Sequence, residues 1–162
     1  FMYDNLFNHI NIKAENVHIP DGKVSDIEDY CRKYDEEIEK IGGIDIQLLG
    51  IGVNGHIGFN EPDAQLIAGT HLTDLTEDTI RANSRFFDSP DQVPTKAITM
   101  GLGSIMKAKK IVMLVSGKNK AEIMAKLLNN DTISTMNPAS FLLIHPNATI
   151  IMDEEAASLL NR

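Results

Sequence analysis

Apolar and polar positions change period several times along the chain, and each change marks an element. The clearest helical stretch covers 25–41, where Ile27, Tyr30, Cys31, Tyr34, Ile38 and Ile41 recur at three- and four-residue spacing and form one apolar face. Ser25-Asp26-Ile27-Glu28 reads as a capping box, Gly42-Gly43 stops the helix, and Glu28–Arg32, Asp29–Lys33 and Glu36–Lys40 are i,i+4 pairs on the solvated face. Ile44–Leu49 and 110–115, with its run Ile111–Val115, are short apolar stretches of the buried-strand type, and 17–20, 97–100, 141–144 and 148–152 read as further short strands. Helices are expected at 1–12 (Met2, Leu6, Phe7, Ile10), at 76–83 behind a Thr76 cap, at 102–109, at 117–128 (Ile123, Met124, Leu127, Leu128) and at 154–160. Residues 63–95 are polar with no strong strand and have the character of a mobile cover. Strands alternating with helices predict an α/β fold. It is a Rossmann-like open, mainly parallel sheet with right-handed crossovers and helices on both faces, with 1–162 as a single domain.

Composition narrows the partners. A chain of 162 residues buries roughly 68–70% of its unfolded surface. The net charge of −8 argues against a nucleic-acid-binding face, and any anionic ligand would have to be held by a few placed cations. The single Cys31 excludes an internal disulfide, reads as a packing residue, and fits a reducing compartment such as the cytoplasm. No apolar run reaches the ~18 residues of a membrane span.

The candidate chemistry gathers directly after the 44–49 strand. Gly50, Gly52, Gly55 and Gly58 punctuate a loop that also carries Asn54, His56, Asn60 and Glu61. Glycines let the backbone turn sharply and approach a ligand, and in an open α/β sheet ligands sit at the carboxyl ends of strands. Gly50-Ile51-Gly52-Val53-Asn54-Gly55 matches G-x-G-x-x-G, with Asp74 downstream, but a dinucleotide site needs a helix opening at the third glycine. Gly58 and Pro62 oppose one, and Pro inside a helix costs ~3 kcal/mol. The loop also lacks the Gly-Lys-Ser/Thr of a Walker motif. A carboxylate at Glu61 suits orienting His56 for acid–base work, and suits equally the capping of nearby backbone. Asn54 can exchange hydrogen bonds with a ligand hydroxyl, or simply tolerate a left-handed turn. His56, Glu61 and Asp63 do not have metal-ligand spacing, so neither a metal nor another cofactor is implied.

Gly-x-Asn-Gly-His-Ile-x-Phe-Asn-Glu-Pro, ending at Pro62, resembles the signature of the glucosamine-6-phosphate deaminase family. The likeness continues through Thr79–Phe87, Gln92-Val93-Pro94, Ala97–Gly101, Ser116–Ala121, Asn137–Ser140 and His145-Pro146. The resemblance implies conversion of glucosamine 6-phosphate and water to fructose 6-phosphate and ammonia, by an amino-sugar isomerase and hydrolase with a sugar phosphate as its small-molecule partner. It implies that His56, oriented by Glu61 and helped by Asn54, opens the sugar ring, and that Arg85 and Lys120 grip the phosphate. Many members have Asp where Asn54 stands, so a role for Asn54 as a base is not carried over. The resemblance further implies that the C2 base and a phosphate-cradling glycine loop lie N-terminal of Phe1, that the chain is the C-terminal portion of such an enzyme, and that alone it is catalytically incomplete. Assembly into a homo-oligomer stays open. Two alternatives remain. A 6-phosphogluconolactonase-like hydrolase shares the fold and a Gly-His loop, but its histidine is not succeeded by a stretch like Ile57–Pro62. A sugar-phosphate-sensing regulator would need a DNA-binding domain and would not need His56 and Glu61 together.

Overall fold

The computed structural model describes residues 1–161. Among them, five strands and five α-helices succeed one another as α1 (Met2–Asn5), α2 (Ile27–Lys40), β1 (Ile46–Leu49), β2 (His71–Asp74), α3 (Glu77–Asn83), β3 (Lys96–Thr99), α4 (Leu102–Met106), β4 (Lys110–Val115), α5 (Ala121–Leu128) and β5 (Ala148–Met152), with short 3-10 turns between them. The main sheet is parallel, in the order β1-β4-β5, and β2 and β3 form a separate antiparallel pair. The α/β class and the parallel sheet are therefore as the alternation of elements predicts.

The centre of the sheet is β4, whose unbroken apolar run pairs on both sides, Leu49 beside Met113 and Val115 beside Met152. Ile111, Met113 and Val115 point into the core together with Leu49 and Ile57, and Ile105, Met124, Leu127 and Leu142 pack among them. The other face of the same strands stays open: Ile46 is 64% exposed, Leu48 61%, Leu114 49% and Ile151 54%. Ile44–Leu49 is thus not the fully buried strand that its composition suggests. β1 is an edge with one partner, and its residues alternate between core and surface.

Helix α2 starts one residue later than the capping-box reading. Asp26, not Ser25, is the N-cap, and its carboxylate accepts from Asp29 N–H at 3.0 Å. Of the three expected pairs on its surface, Asp29–Lys33 forms at 2.6 Å, whereas Arg32 turns to Asp29 and Glu36, and Lys40 to Glu37. Cys31 is buried at 3% exposure and is a packing residue.

Several short elements differ from expectation, each where a local signal was ambiguous. His71–Asp74 is a strand despite its polar sequence, because β3 supplies the ladder from His71–Thr99 to Asp74–Lys96. Residues 141–144 are part of a 3-10 helix, Pro138–Ile144, with Pro138 at its first turn, where a missing N–H costs nothing. Residues 154–160 form successive turns tied to the Asp153 carboxylate by Ala156 N–H at 2.8 Å. Residues 17–20 are not a strand, and 1–12 hold only α1 and a 3-10 turn, Phe7–His9.

The core assignment is directly testable. Ile111→Ala should cost about 2–5 kcal/mol of unfolding free energy in a urea titration, the range for truncating a fully buried aliphatic side chain. Leu114→Ser, on the same strand but the open face, should stay within about 0.5 kcal/mol. Equal losses at both positions would mean that the sheet is covered on both faces.

Candidate functional site

Because β1 and β4 run parallel and in register, their carboxyl ends open side by side. Residues 50–61 leave the first, and residues 116–120 leave the second. The two loops are joined directly: the Lys120 ammonium donates to the Ile51 carbonyl at 2.6 Å. No helix opens after Gly55. The chain instead folds back on itself, with Gly55 N–H donating to the Gly52 carbonyl at 3.0 Å and Gly52 N–H to the His56 carbonyl at 2.9 Å.

Two glycines are required for this compactness. Gly55 has φ +93°, and a Cβ there would fall 2.2 Å from Asn137 Oδ1. Gly52 lies against the His56 ring, where a Cβ would come within 2.4 Å of Cε1 and 2.5 Å of each ring nitrogen. The backbone at Gly52 is thus the floor on which the imidazole rests.

The loop converges on Glu61, whose side chain is 10% exposed. Oε2 accepts from the Asn54 amide at 2.6 Å and from His56 Nδ1 at 3.1 Å. Asn54 Oδ1 in turn accepts from the His56 backbone N–H at 3.2 Å. Oε1 accepts from the Thr79 hydroxyl at 2.7 Å, and the Thr76 hydroxyl, which donates to Thr79 Oγ1 at 3.0 Å, stands 3.4 Å from the same oxygen. Burial pushes the Glu61 carboxyl toward its neutral form. The donated hydrogen bonds of Thr79 and Asn54 and the proximity of His56 outweigh it, so the pKa ends below its ordinary 4.5 and the group is an anion at neutral pH. An ionised carboxylate only accepts, so His56 carries its proton on Nδ1 and leaves Nε2 for other work.

A cavity of about 640 Å³ opens beside this cluster. Asn54, His56, Arg85 and Lys120 all line it, so four of the five residues singled out from the sequence meet at one cavity, and the fifth, Glu61, stands behind them. Lys120 is the N-cap residue of α5 and is partly buried, and burial lowers its pKa. Arg85 sits on the 3-10 turn after α3 and is exposed, its guanidinium 4.8 Å above the Phe86 ring. Asp78 also lines the cavity, but it is paired with Arg81. His145 stays structural: it accepts from Asn147 N–H at 3.1 Å and donates to the Ala108 carbonyl at 2.9 Å. Among the described residues no cluster of three or more His, Cys, Asp or Glu side chains could hold a metal, and no helix is long and apolar enough to cross a membrane.

Sequence reasoning missed Thr79. Thr76 is readable from the sequence as a helix cap, and its hydroxyl does accept from Thr79 N–H at 3.3 Å. The available signal was a hydroxyl three residues past that cap, at the position that turns back toward the preceding loop.

Gly52→Ala probes the floor under His56. Its backbone has no positive φ, so Ala is tolerated locally, but the added methyl must displace the ring. The expected result is a folded protein in which the hydrogen-bonded Nδ1–H proton of His56 is lost from the NMR spectrum. A retained resonance would show that the ring does not depend on Gly52.

Comparison with known proteins shows what the chain as a whole is similar to. The family model for glucosamine-6-phosphate isomerases and 6-phosphogluconolactonase matches residues 1–151. The glucosamine-6-phosphate deaminase of Thermoanaerobacter pseudethanolicus is 64% identical over 99% of this chain and 63% of its own, and that of Clostridium perfringens is 57% identical over 99% and 66%. The chain therefore spans just under two thirds of the length of these relatives. A solved monomeric glucosamine-6-phosphate deaminase superposes with a TM-score of 0.93 at 49% identity, covering 98% of this chain and 65% of that one. The 6-phosphogluconolactonase of Thermotoga maritima, at 22% identity and a TM-score of 0.64 over 93% and 62%, shares the fold. On the extent of the family match and the identity to its curated members, the chain belongs to the glucosamine-6-phosphate isomerase/6-phosphogluconolactonase family.

Proposed function

We propose that this chain carries the ring-opening and phosphate-holding parts of a glucosamine-6-phosphate deaminase. The observation that carries the reading is the Asn54–His56–Glu61 cluster at the mouth of the cavity. High identity to curated deaminases supports it over the lactonase alternative, which shares the fold alone.

In this reading Nε2 of neutral His56 takes the proton of the C1 hydroxyl. The C1–O5 bond breaks as the carbonyl forms, and the same proton is returned to O5. Glu61 stabilises the imidazolium formed in between, and a positioned acid–base group of this kind contributes typically 10²–10⁴-fold. Asn54 holds the Glu61 carboxylate and can reach a sugar hydroxyl with its remaining donor. Lys120 and Arg85, both at the cavity, supply the point charge and the planar fork that suit a phosphate. A base then moves the C2 proton to C1 through an enolamine, and water displaces ammonia from the resulting imine. The resemblance implies that this base lies outside residues 1–162, and near the cavity Glu61 is engaged on both oxygens while Asp78 is paired with Arg81. A sugar phosphate as substrate and one buried thiol, Cys31, fit the cytoplasm.

Glu61→Gln in the native enzyme tests the ring-opening role. Turnover of the cyclic sugar should fall by about 10² or more, the scale of one acid–base contribution, whereas an open-chain substrate analogue should lose much less. Equal losses would remove ring opening from the roles of the pair. The division of labour has its own test. Residues 1–162 alone should release ammonia from glucosamine 6-phosphate at least about 10²-fold more slowly than the Thermoanaerobacter relative under matched conditions. Comparable rates would place the C2 base among these residues.

A further inference from the structure

Helix α3 spans seven residues, and Thr79 is the only one of them that is buried, at 5% exposure. Its burial is polar: the hydroxyl donates to Glu61 Oε1 at 2.7 Å, and the Thr76 hydroxyl both caps the helix and donates to Thr79 Oγ1 at 3.0 Å. The oxygen that Thr79 holds is not the one used by His56 and Asn54, so the two carboxylate oxygens are fixed from opposite sides, one by the loop and one by the helix. A carboxylate pinned at one oxygen can still swing about its terminal torsion; pinned at both, it cannot. Arg85 lies on the 3-10 turn directly after α3, so the helix that fixes Glu61 also carries a cation of the cavity.

We propose that Thr79 is a positioning residue for Glu61: the docking of α3 through this hydroxyl sets the carboxylate that aligns His56, so that seating of the helix and readiness of the acid–base pair are one event. The inference rests on the ring-opening reading above for its consequence in turnover, but the contact itself can be read without turnover. Of the groups facing Glu61, His56 is titratable; Asn54, Thr76 and Thr79 are neutral, and the charged Asp78, Arg85 and Lys120 line the neighbouring cavity.

The test uses Thr79→Val, which keeps shape and removes the donor, and Thr79→Ser, which keeps the donor, in the native enzyme, with Thr79→Ala standing in should the valine variant not fold. Val should lower kcat for the cyclic sugar by about 10-fold, the scale of one hydrogen bond to a charged group, with a smaller change in KM, and Ser should restore most of it. Carboxyl-carbon NMR of Glu61 should show its titration moving upward toward 4.5 in Val and Ala but not in Ser, because a donor that favours the ionised form has been removed. A titration that does not move in Val or Ala, or an equal loss of kcat in Val and Ser, overturns the proposal. If the titration moves as expected while the native enzyme shows no ring opening, the positioning stands and the functional reading falls.

Discussion

The structure around the cavity depends on keeping one buried carboxylate ionised. Removing Glu61 from water favours its neutral form, and that is the largest single influence on it. Left uncompensated, a buried charge would neutralise or unfold its surroundings. Donors from two places compensate: Asn54 and His56 from its own loop, and Thr79, with Thr76 behind it, from α3. Together they overcome the desolvation, and the result is an anion at neutral pH. Each donor is held in turn by something else. Asn54 receives the His56 backbone N–H, Thr79 receives the Thr76 hydroxyl, and His56 rests on Gly52.

The two sheets of the described residues contribute different parts of this arrangement. The parallel sheet aligns the carboxyl ends of β1 and β4 and so brings the 50–61 loop to Lys120. It cannot supply the donors to Glu61 Oε1, which come from the opposite side of the loop. The antiparallel β2–β3 pair does so by holding both ends of the 75–95 segment together, so that α3 returns over Glu61. Thr99, at the end of β3, ties the pair back to the loop by accepting from Phe59 N–H at 3.0 Å.

The same physics decides which features are legible in the sequence and which are hidden. The glycine-rich loop, β4, α2 and the Thr76 cap were readable because each is set by local rules: backbone freedom, an unbroken apolar run, an amphipathic face, a side-chain cap. The strand at His71–Asp74 was not, because its four residues have little strand character and only the pairing with β3 makes them one. The apolar run Phe141–Ile144 suits a strand as well as a helical turn, and Pro138 decided it. The cavity residues Asn54, His56, Arg85 and Lys120 were found through the resemblance and stand together. Thr79 was hidden because a threonine in a helix normally says nothing, and its meaning lies in a partner eighteen residues earlier in the chain.

For the proposed phosphate substrate, the cavity would also have to overcome the charge of the chain that forms it. A net charge of −8 repels a phosphate at long range, but at physiological salt that field is screened beyond about 8 Å. Inside that distance the local groups decide. Lys120 is partly withdrawn from water, and burial lowers its pKa, so its ammonium is under-solvated and held by the Ile51 carbonyl. A dianion arriving there would favour the charged ammonium and shift that pKa back upward, so part of the desolvation cost is already met by the fold before any substrate arrives. Arg85, exposed and stacked on Phe86, has the opposite character: fully charged, well hydrated and carried on the segment just after α3. Under the proposed function, a grip made of one fixed, desolvated cation and one solvated cation on the segment after α3 would bind a phosphate most strongly with that segment seated, the arrangement in which Thr79 holds Glu61.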